Sequence, residues 1–443
     1  MISRIEGRRI IPTMKKKPRL FWFALVFGLV VALALGMGIP SVRERVDFKL
    51  TQWKAEIYYW LYPPQKNVFV PQDPVAAVVD ATMTALFFPT PVVSPTASPT
   101  VQPTGTLQPT LTPTASPTPP PAKVILNGAV HEYQKWNNCG PATLAMALSY
   151  WKWKGDQRDV AAVLRPNTED KNVFPSELAD FVNTQTRFKA LVRVGGDLET
   201  LKRLLAAGFP VVVEKSFDII QNEGWVGHYE LLTGYDDSRA KFISQDAYIM
   251  ADFPVPYTDL EKDWLSFNRV FLVVYPPERI ADVLAALGSL SDETTSYQMA
   301  LQQSYEDILT HQGREQYFAW YNQGSSLVLL KDYTGAASAY DQAFRLYAQL
   351  PEDVRPWRLI WYAIGPYEAY YQTGRFQDVI DLATQTVSGL SEPAVEESFY
   401  WRAMAKIALG DTTGGVKDLR TSLKWHPGYA LSLAELQNLG ETP

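Results

Sequence analysis

A long proline-rich segment without charges divides the chain and limits where folded domains can form. Residues 81–122 carry no charged side chain, and 11 of the 33 residues in 89–121 are proline, with seven Pro-Thr pairs. A segment of this composition cannot bury enough apolar surface to fold, and it favours an extended polyproline II conformation. We therefore predict a disordered linker over residues 89–122.

The N-terminal part has the pattern of a membrane anchor. Residues 1–19 form a basic tail with seven lysine or arginine residues and one glutamate, and residues 20–40 carry no charge. As a helix, the uncharged run spans roughly 30 Å, the thickness of a bilayer's hydrocarbon core. The basic tail predicts a cytoplasmic N-terminus and extracytoplasmic downstream domains, which the linker would hold away from the membrane. A cleaved signal peptide is the alternative, because Gly36 and Gly38 supply small residues near the end of the run.

Residues 41–88 follow the predicted span as a juxtamembrane helical segment. Apolar residues recur over 43–62 at alternating steps of four and three, which predicts one apolar helix face. These residues are Val46, Leu50, Trp53, Ile57 and Trp60. Such a face fits the membrane surface, a second copy of the chain, or a helical spacer with no partner.

The charge distribution disfavours a nucleic-acid partner. The net charge is −6 although the N-terminal tail is basic, so the rest of the chain is more acidic still. A nucleic-acid-binding domain more often presents a basic face.

Residues 123–280 show helical patterns first and strand patterns later. The predicted helices cover 139–153, 156–164, 175–185 and 197–207. The predicted strands cover 188–194, 210–214, 229–233, 241–244 and 270–275. This order predicts an α+β domain in which an antiparallel sheet packs against the helix that begins near Cys139.

Residues 281–443 are helical in pattern throughout, which predicts an all-α helical-repeat domain. Six residues match the spacing of the tetratricopeptide consensus, in which small residues let two antiparallel helices approach closely. They are Trp320, Gly324, Tyr333, Ala336, Tyr340 and Ala343. Two weaker units follow near Gly374 and Gly410, and residues 281–311 are expected to supply a flanking helical pair. A repeat domain of this kind would bind a protein or peptide partner in its groove.

Cys139 is the only cysteine, so an internal disulfide and a two-cysteine zinc site are both excluded. It stands where Pro141 and the residues after it predict a helix start, and a thiol at a helix N-terminus is stabilised as the reactive thiolate. A small buried hydrophobic residue is the alternative. No cofactor and no metal site are predicted.

Among the four histidines, His228 has the best position to act on a thiol. It opens a strand whose hairpin partner ends at Asp246. If the hairpin folds symmetrically about Asp237, His228 and Asp246 face one another with Cβ atoms about 5 Å apart. A carboxylate there would orient the imidazole towards a thiol, whereas a one-residue slip would put it on the wrong face. An exposed histidine and aspartate at strand ends are the alternative.

Gln134, five residues before Cys139, supplies a candidate oxyanion donor. Its side-chain amide and the backbone N–H of Cys139 could together stabilise the oxyanion formed when a thiol attacks a carbonyl. Taken alone, this residue would be an ordinary polar loop residue.

These motifs carry a resemblance to a known family. Four stretches resemble the bacteriocin-processing, double-glycine-leader peptidases and their papain-like relatives. They are Tyr133-Gln134, the run 138–146 (Asn-Cys-Gly-Pro-Ala-Thr-Leu-Ala-Met), Gly227-His228-Tyr229 and the run 233–237. The resemblance covers about residues 125–280.

By this resemblance, Gln134 is the oxyanion-hole residue, Cys139 the nucleophile, His228 the general base and acid, and Asp246 the orienting residue. It implies a papain-like fold and a cysteine peptidase acting on a peptide or protein substrate, which the predicted anchor would make a membrane-anchored, extracytoplasmic enzyme. Two departures limit it. Asn138 stands where leader-processing members commonly have aspartate. Those members are also fused to an ABC transporter and act on the cytoplasmic side, whereas this domain is expected outside and is followed by helical repeats. The alternatives are a non-catalytic interaction module and a thiol amidase or acyltransferase acting on the cell envelope.

Overall fold

The computed structural model describes residues 40–62, 66–71, 120–219 and 224–443. The predicted basic tail, the predicted membrane span apart from Pro40, and most of the proline-rich linker lie outside these residues. Among the described helices, none is long and apolar enough to cross a membrane. Helix α1 spans Pro40–Leu61. Residues from Ala55 onward form one compact unit, and the first part of α1 belongs to another.

The sheet-containing part of the chain alternates helices and strands in an α+β arrangement. Its elements are β1 (Lys123–Ile125), α2 (Cys139–Tyr150), α3 (Gln157–Leu164), α4 (Pro175–Gln185), β2 (Lys189–Arg193), α5 (Leu198–Ala206), β3 (Val211–Ile219), β4 (Gly224–Asp236), β5 (Lys241–Gln245), β6 (Phe253–Pro256), α6 (Tyr257–Trp264) and β7 (Phe271–Tyr275). The four predicted helices and five predicted strands are confirmed within a few residues at their ends.

All pairings in the seven-stranded sheet are antiparallel. The order is β2-β7-β3-β4-β5-β6, with β1 lying beside β4. Strand β4 is long: β3 pairs with its residues 224–232, and β5 and β1 pair with residues nearer its end. An antiparallel sheet with flanking helices agrees with the predicted α+β class.

The two faces of the sheet are buried under different helices, because side chains alternate along each strand. Tyr229 and Leu231 of β4 pack in the same cluster as the buried residues of α2 and α4. Leu232, the next residue, packs on the opposite face with residues of α5 and α6. The helix that starts at Cys139 is thus fixed against the strand that carries His228.

The C-terminal region is entirely helical among the described residues. Its helices are α7 (Ile280–Leu287), α8 (Glu293–Thr310), α9 (Gly313–Leu329), α10 (Tyr333–Gln349), α11 (Leu359–Tyr362), α12 (Gly365–Gln372), α13 (Phe376–Ser388), α14 (Glu396–Ala408), α15 (Thr412–Trp425) and α16 (Ala430–Asn438). A Cβ on Gly324 would lie 2.7 Å from the Tyr340 ring, so the close approach of α9 and α10 requires glycine there. Tetratricopeptide character itself remains a prediction.

The first helix after the sheet packs on the sheet. Val283 and Leu287 of α7 are buried in the cluster that covers one of its faces. The predicted domain boundary at residue 280 stays a prediction.

Residues 66–71 pack on the helical region. The Phe69 side chain is 4% exposed, and its ring centroid lies 5.0 Å from that of Phe344 and 6.1 Å from that of Tyr370. The stretches on both sides of the proline-rich segment thus belong to the unit that starts at Ala55. That the linker holds the downstream domains away from the membrane stays a prediction.

We predict that Phe69→Ala lowers the free energy of unfolding by about 3 kcal/mol, because it deletes a buried aromatic ring. Urea denaturation of the full chain measures this. Val70→Ala is the matched control, since Val70 is 58% exposed. Equal stability of the two variants would show that residues 66–71 do not contribute to the helical core.

Candidate active site

Cys139 occupies the first position of helix α2 and remains partly accessible. A tight turn precedes it, in which the N–H of Asn138 donates to the Lys135 carbonyl at 3.1 Å. The buried Asn138 side chain donates to Gln157 Oε1 at 2.8 Å and accepts from Arg165 Nη1 at 3.0 Å. These contacts fix the turn and so the point at which the helix begins. The thiol therefore sits at the positive end of the helix dipole.

His228 and Asp246 lie in direct contact beside the start of this helix. Nε2 of His228 donates to the Asp246 carboxylate, at 3.1 Å from Oδ1 and 3.2 Å from Oδ2. Both side chains are buried. The N–H groups of Tyr248 and Ile249 donate to the same Oδ1, at 2.7 and 2.9 Å. The carboxylate is therefore held in place from the loop side while it orients the imidazole.

The hairpin reaches this contact through a register that differs from the predicted one. Asp236 pairs with Lys241 at the tip, whereas Leu231 pairs with Gln245 further along, so β4 contains one extra residue, Thr233. Symmetry about Asp237 is thus wrong.

The extra residue at Thr233 is a β-bulge with a consequence for the site. If β4 lacked this extra residue, the pairing seen at the hairpin tip would extend along both strands. Asp246 would then lie opposite Leu231, which faces helix α2. With the extra residue, the extended register places Asp246 opposite Glu230, and Glu230 shares a sheet face with His228. The two side chains meet as diagonal neighbours rather than as a directly opposed pair.

The thiol and the imidazole shift one another's protonation. Burial raises the pKa of the Cys139 thiol, but a hydrogen bond from His228 and its positive charge outweigh this, so the pKa falls below its ordinary 9.0. The N–H groups of Tyr229 and Gly140 also donate to the sulfur. Because Nε2 is engaged by Asp246, Nδ1 is the ring nitrogen left for the thiol.

His228 and Asp246 also shift one another's pKa, in opposite directions, because their opposite charges are in contact. Burial opposes the charged form of His228, but the charge and hydrogen bond of Asp246 raise its pKa to about 10. Burial also opposes the charged form of Asp246, yet His228 and the two backbone N–H groups lower its pKa to about 2. An imidazolium between a thiolate and a carboxylate is the charge state that this geometry favours.

A buried ion pair lies behind the His228–Asp246 contact. Lys215 is directly opposite His228 across β3 and β4, and its Nζ lies 3.7 Å from Glu230 Oε1. Burial lowers the pKa of Lys215, but the carboxylates of Glu230, Asp263 and Asp246 raise it overall. The added positive charge helps to keep Asp246 ionised. No sequence pattern indicated this pair, because an alternating charge in a strand usually points to solvent.

Gln134 lies on a segment that is tied to the Asp246 loop. Its backbone N–H donates to the carbonyl of Ala247 at 2.8 Å, and Nε2 of His131 lies 2.9 Å from the Asp246 carbonyl oxygen. The Gln134 side-chain oxygen Oε1 is buried and has no hydrogen-bond partner. The structure thus brings Gln134 near the predicted site residues, and its role as an oxyanion donor stays a prediction. The contact of His131 with the Asp246 carbonyl was not predicted.

Aromatic rings cover the imidazole. The ring of Phe217 stacks on His228 with a centroid separation of 5.0 Å, and the Tyr248 ring lies 5.5 Å from that of Phe217. Trp225 and Tyr229, which also stand close to His228 in the sequence, are almost fully buried in the core. The rings that limit solvent access to His228 therefore come from positions the sequence did not single out.

The helical region also reaches this site through Tyr362. A Cβ on Gly227 would lie 2.7 Å from Phe267 Cζ and 3.0 Å from Tyr362 Cε1. Burial, followed by the nearby charge of Cys139, raises the pKa of Tyr362. Arg358 of the same region donates to the Trp225 carbonyl at 3.1 Å. The strand segment just before His228 is thus packed against the helical region.

We predict that Gly227→Ala lowers stability by about 1–3 kcal/mol, because the added methyl group overpacks the contact with Phe267 and Tyr362. Urea denaturation measures the loss. The double variant Gly227→Ala/Phe267→Leu should recover part of it, since leucine is shorter than the phenyl ring. A fully stable Gly227→Ala protein would contradict the close packing described here.

Comparison with known proteins agrees with this geometry. Residues 127–271 match the model of the Peptidase_C39 like family. The match covers the α+β part of the chain, contains all four predicted site residues, and suggests a cysteine peptidase. No curated protein matches the chain.

Two solved structures are each similar to about a third of the chain. A C39-like peptidase from Bacillus anthracis is 21% identical, with 34% of this chain and 96% of that chain covered and a TM-score of 0.29. A double-glycine-motif protease from an AMS/PCAT transporter, solved with its leader peptide, is 16% identical, with 34% and 94% covered and a TM-score of 0.27.

Proposed function

We propose that the chain is a cysteine peptidase in which Cys139, His228 and Asp246 form the catalytic triad. One observation carries the proposal: the buried His228 imidazole contacts the partly exposed Cys139 thiol and, through Nε2, the Asp246 carboxylate. A thiol activated by an imidazole that a carboxylate orients is the arrangement needed for nucleophilic attack on a carbonyl carbon.

The reaction would proceed through a thioester. The Cys139 thiolate attacks the peptide carbonyl carbon, and His228 gives its proton to the departing amine as the C–N bond breaks. A water molecule then attacks the thioester while His228 takes up a proton, which releases the carboxylic acid and restores the thiol. The backbone N–H of Cys139 and the Gln134 amide are the proposed donors to the oxyanion in both steps.

The proposed chemistry indicates a class of substrate but not a particular substrate. An amidase or acyltransferase would form the same thioester, so the sulfur chemistry does not distinguish these from a peptidase. The match to a peptidase family favours peptide bonds. A non-catalytic interaction module is disfavoured because the predicted nucleophile and base are both present and in contact.

Cleavage of unstructured peptides by the full chain tests this proposal. The wild-type protein should release peptide fragments that mass spectrometry identifies, and Cys139→Ala should release none. A thiol-reactive peptide electrophile should label the wild type at Cys139. Labelling without peptide cleavage would favour an amidase or acyltransferase, and cleavage that survives Cys139→Ala would overturn the proposal.

We further propose that residues 20–40 anchor the protein in the cell membrane, with the N-terminus cytoplasmic and the later domains extracytoplasmic. The basic tail before the uncharged run supports this orientation. Added protease should digest a C-terminal epitope on intact spheroplasts. Protection of the epitope would contradict the orientation.

A role for the helical region in binding a peptide or protein partner is also a proposal. Its support is the contact that the region makes with the chain's own residues 66–71, where Phe69 lies among aromatic side chains. An extended segment with a phenylalanine is therefore the kind of ligand this surface accommodates. Binding of a peptide with the sequence of residues 66–71 should be stronger in the Phe69→Ala protein than in the wild type.

A further inference from the structure

A mixed imidazole and carboxylate cluster lies where the sheet domain meets the helical region. One ligand atom each from Asp170, Glu396 and His426 lie within 4.8 Å of one another. We call these three residues the junction cluster. Asp170 comes from the loop between α3 and α4, Glu396 is the first residue of α14, and His426 follows α15. Asp170 and Glu396 are buried, so this is not an ordinary acidic surface patch.

Contacts next to the junction cluster hold its members in place. The N–H of Lys171, adjacent to Asp170, donates to the Ala394 carbonyl at 3.2 Å. Nδ2 of Asn167 donates to the carbonyl of Trp425, adjacent to His426, at 2.9 Å. The donor atoms are thus preorganised by both parts of the chain, which lowers the cost of gathering them around one ion.

The cluster has few partners for its negative charges. Nδ1 of His426 lies 2.5 Å from Glu396 Oε1, and Asp170 accepts a backbone N–H from Asn172 at 3.2 Å. Within the described part of the chain, no lysine or arginine forms an ion pair with Asp170 or Glu396. Arg165 is close, but its hydrogen bonds go to carbonyl oxygens and to Asn138.

A further buried carboxylate lies next to the junction cluster. Glu397, which follows Glu396 in the chain, is 8% exposed. A carboxylate that is more than nine-tenths buried beside two others is costly unless a positive charge compensates it.

We propose that the junction cluster binds one Zn²⁺ ion, with a carboxylate oxygen of Asp170, a carboxylate oxygen of Glu396 and Nδ1 of His426 as ligands. An imidazole among the ligands favours Zn²⁺ over Ca²⁺ or Mg²⁺, which take oxygen ligands. Tetrahedral Zn²⁺ with bonds of about 2.0–2.2 Å holds its ligand atoms about 3.4 Å apart. Small side-chain rotations reach this spacing.

The ion would link the sheet domain to the helical region. One ligand comes from the sheet domain and two come from the helical region, so the binding energy adds to the stability of their contact. This inference is independent of the proposed peptidase activity.

Calorimetric titration of the full chain with Zn²⁺, after treatment with a chelator, tests the site. The titration uses a Cys139→Ala background, because the Cys139 thiolate and His228 would otherwise compete for the ion. We expect one saturable site and a higher melting temperature with Zn²⁺. Asp170→Asn and His426→Gln should each weaken binding by at least about tenfold, since each removes a ligand.

Controls separate this site from others. Glu306→Gln removes an exposed carboxylate on α8 and should leave the affinity unchanged. Glu396→Gln keeps the side-chain volume, and circular dichroism shows whether each variant is folded. The proposal would be overturned if the Cys139→Ala background showed no saturable binding. It would also be overturned if folded Asp170→Asn and Glu396→Gln proteins bound Zn²⁺ with the same affinity as that background.

Discussion

Replacement of His228 by alanine is expected to lower kcat/KM for peptide hydrolysis by about 10²–10⁴-fold. The variant loses the imidazole that contacts the Cys139 thiol and donates to Asp246. The thiol then stays protonated, because burial raises its pKa and nothing opposes that effect as strongly as His228 does. The departing amine also loses its proton donor. Steady-state hydrolysis of a peptide that the wild type cleaves measures the change.

His311→Ala is the matched control for this experiment. His311 lies at the end of helix α8, where Nδ1 contacts the Asp307 carbonyl, in a different part of the chain from Cys139. Its replacement should leave kcat/KM within about twofold of the wild type, as for most changes away from a site. Comparable activity of His228→Ala and His311→Ala would exclude His228 as the base.

Replacement of Asp246 by alanine is expected to lower kcat/KM by about 10²–10⁴-fold, since the carboxylate orients the imidazole and stabilises its charge. Alanine also leaves the N–H groups of Tyr248 and Ile249 without their acceptor. These N–H groups are partly buried, so leaving them without a partner lowers stability by up to about 1–3 kcal/mol each. Kinetics and urea denaturation of the same preparation measure both effects.

Asp246→Asn separates orientation from charge. Its amide oxygen can still accept from the two backbone N–H groups and from Nε2 of His228, whereas the negative charge is gone. We expect the asparagine variant to be more stable and more active than the alanine variant, yet slower than the wild type. Equal kinetics for alanine and asparagine would mean that only the charge matters.

The same pair of groups predicts how stability depends on pH. The Asp246 pKa is lowered to about 2, so its contribution is present above its ordinary value of 3.8 and is lost as pH falls towards 2. The His228 pKa is raised to about 10, so its contribution is present below 6.5 and is lost as pH rises towards 10. Asp246→Asn should flatten both limbs of the wild-type stability curve.

The sheet could be predicted from sequence where strands are apolar and long. The runs around β3 and β7 are continuous in valine and other β-branched or aromatic residues, and both strands were identified. Strand β6 was missed because its four residues include Pro254 and Pro256. It lies at the edge of the sheet and pairs only with β5, which is where a strand tolerates proline.

The site could be predicted in its residues but not in its geometry. Cys139 and His228 were identified from a helix start and a strand start, which are local signals. The bulge at Thr233 depends on how β5 pairs along its whole length, and no local sequence pattern indicates it. The contacts of Tyr362 and Phe69 join residues far apart in the sequence, and a single sequence carries no information about such pairs.

The reaction of Cys139 with iodoacetamide as a function of pH tests the central claim most directly. Cys139 is the only cysteine, so the full chain reports on this thiol alone. In the wild type, the rate should reach half its maximum below pH 9.0, because His228 lowers the pKa of the thiol. In His228→Ala, the midpoint should move to higher pH. Identical midpoints for the two proteins would contradict a thiolate that is paired with His228.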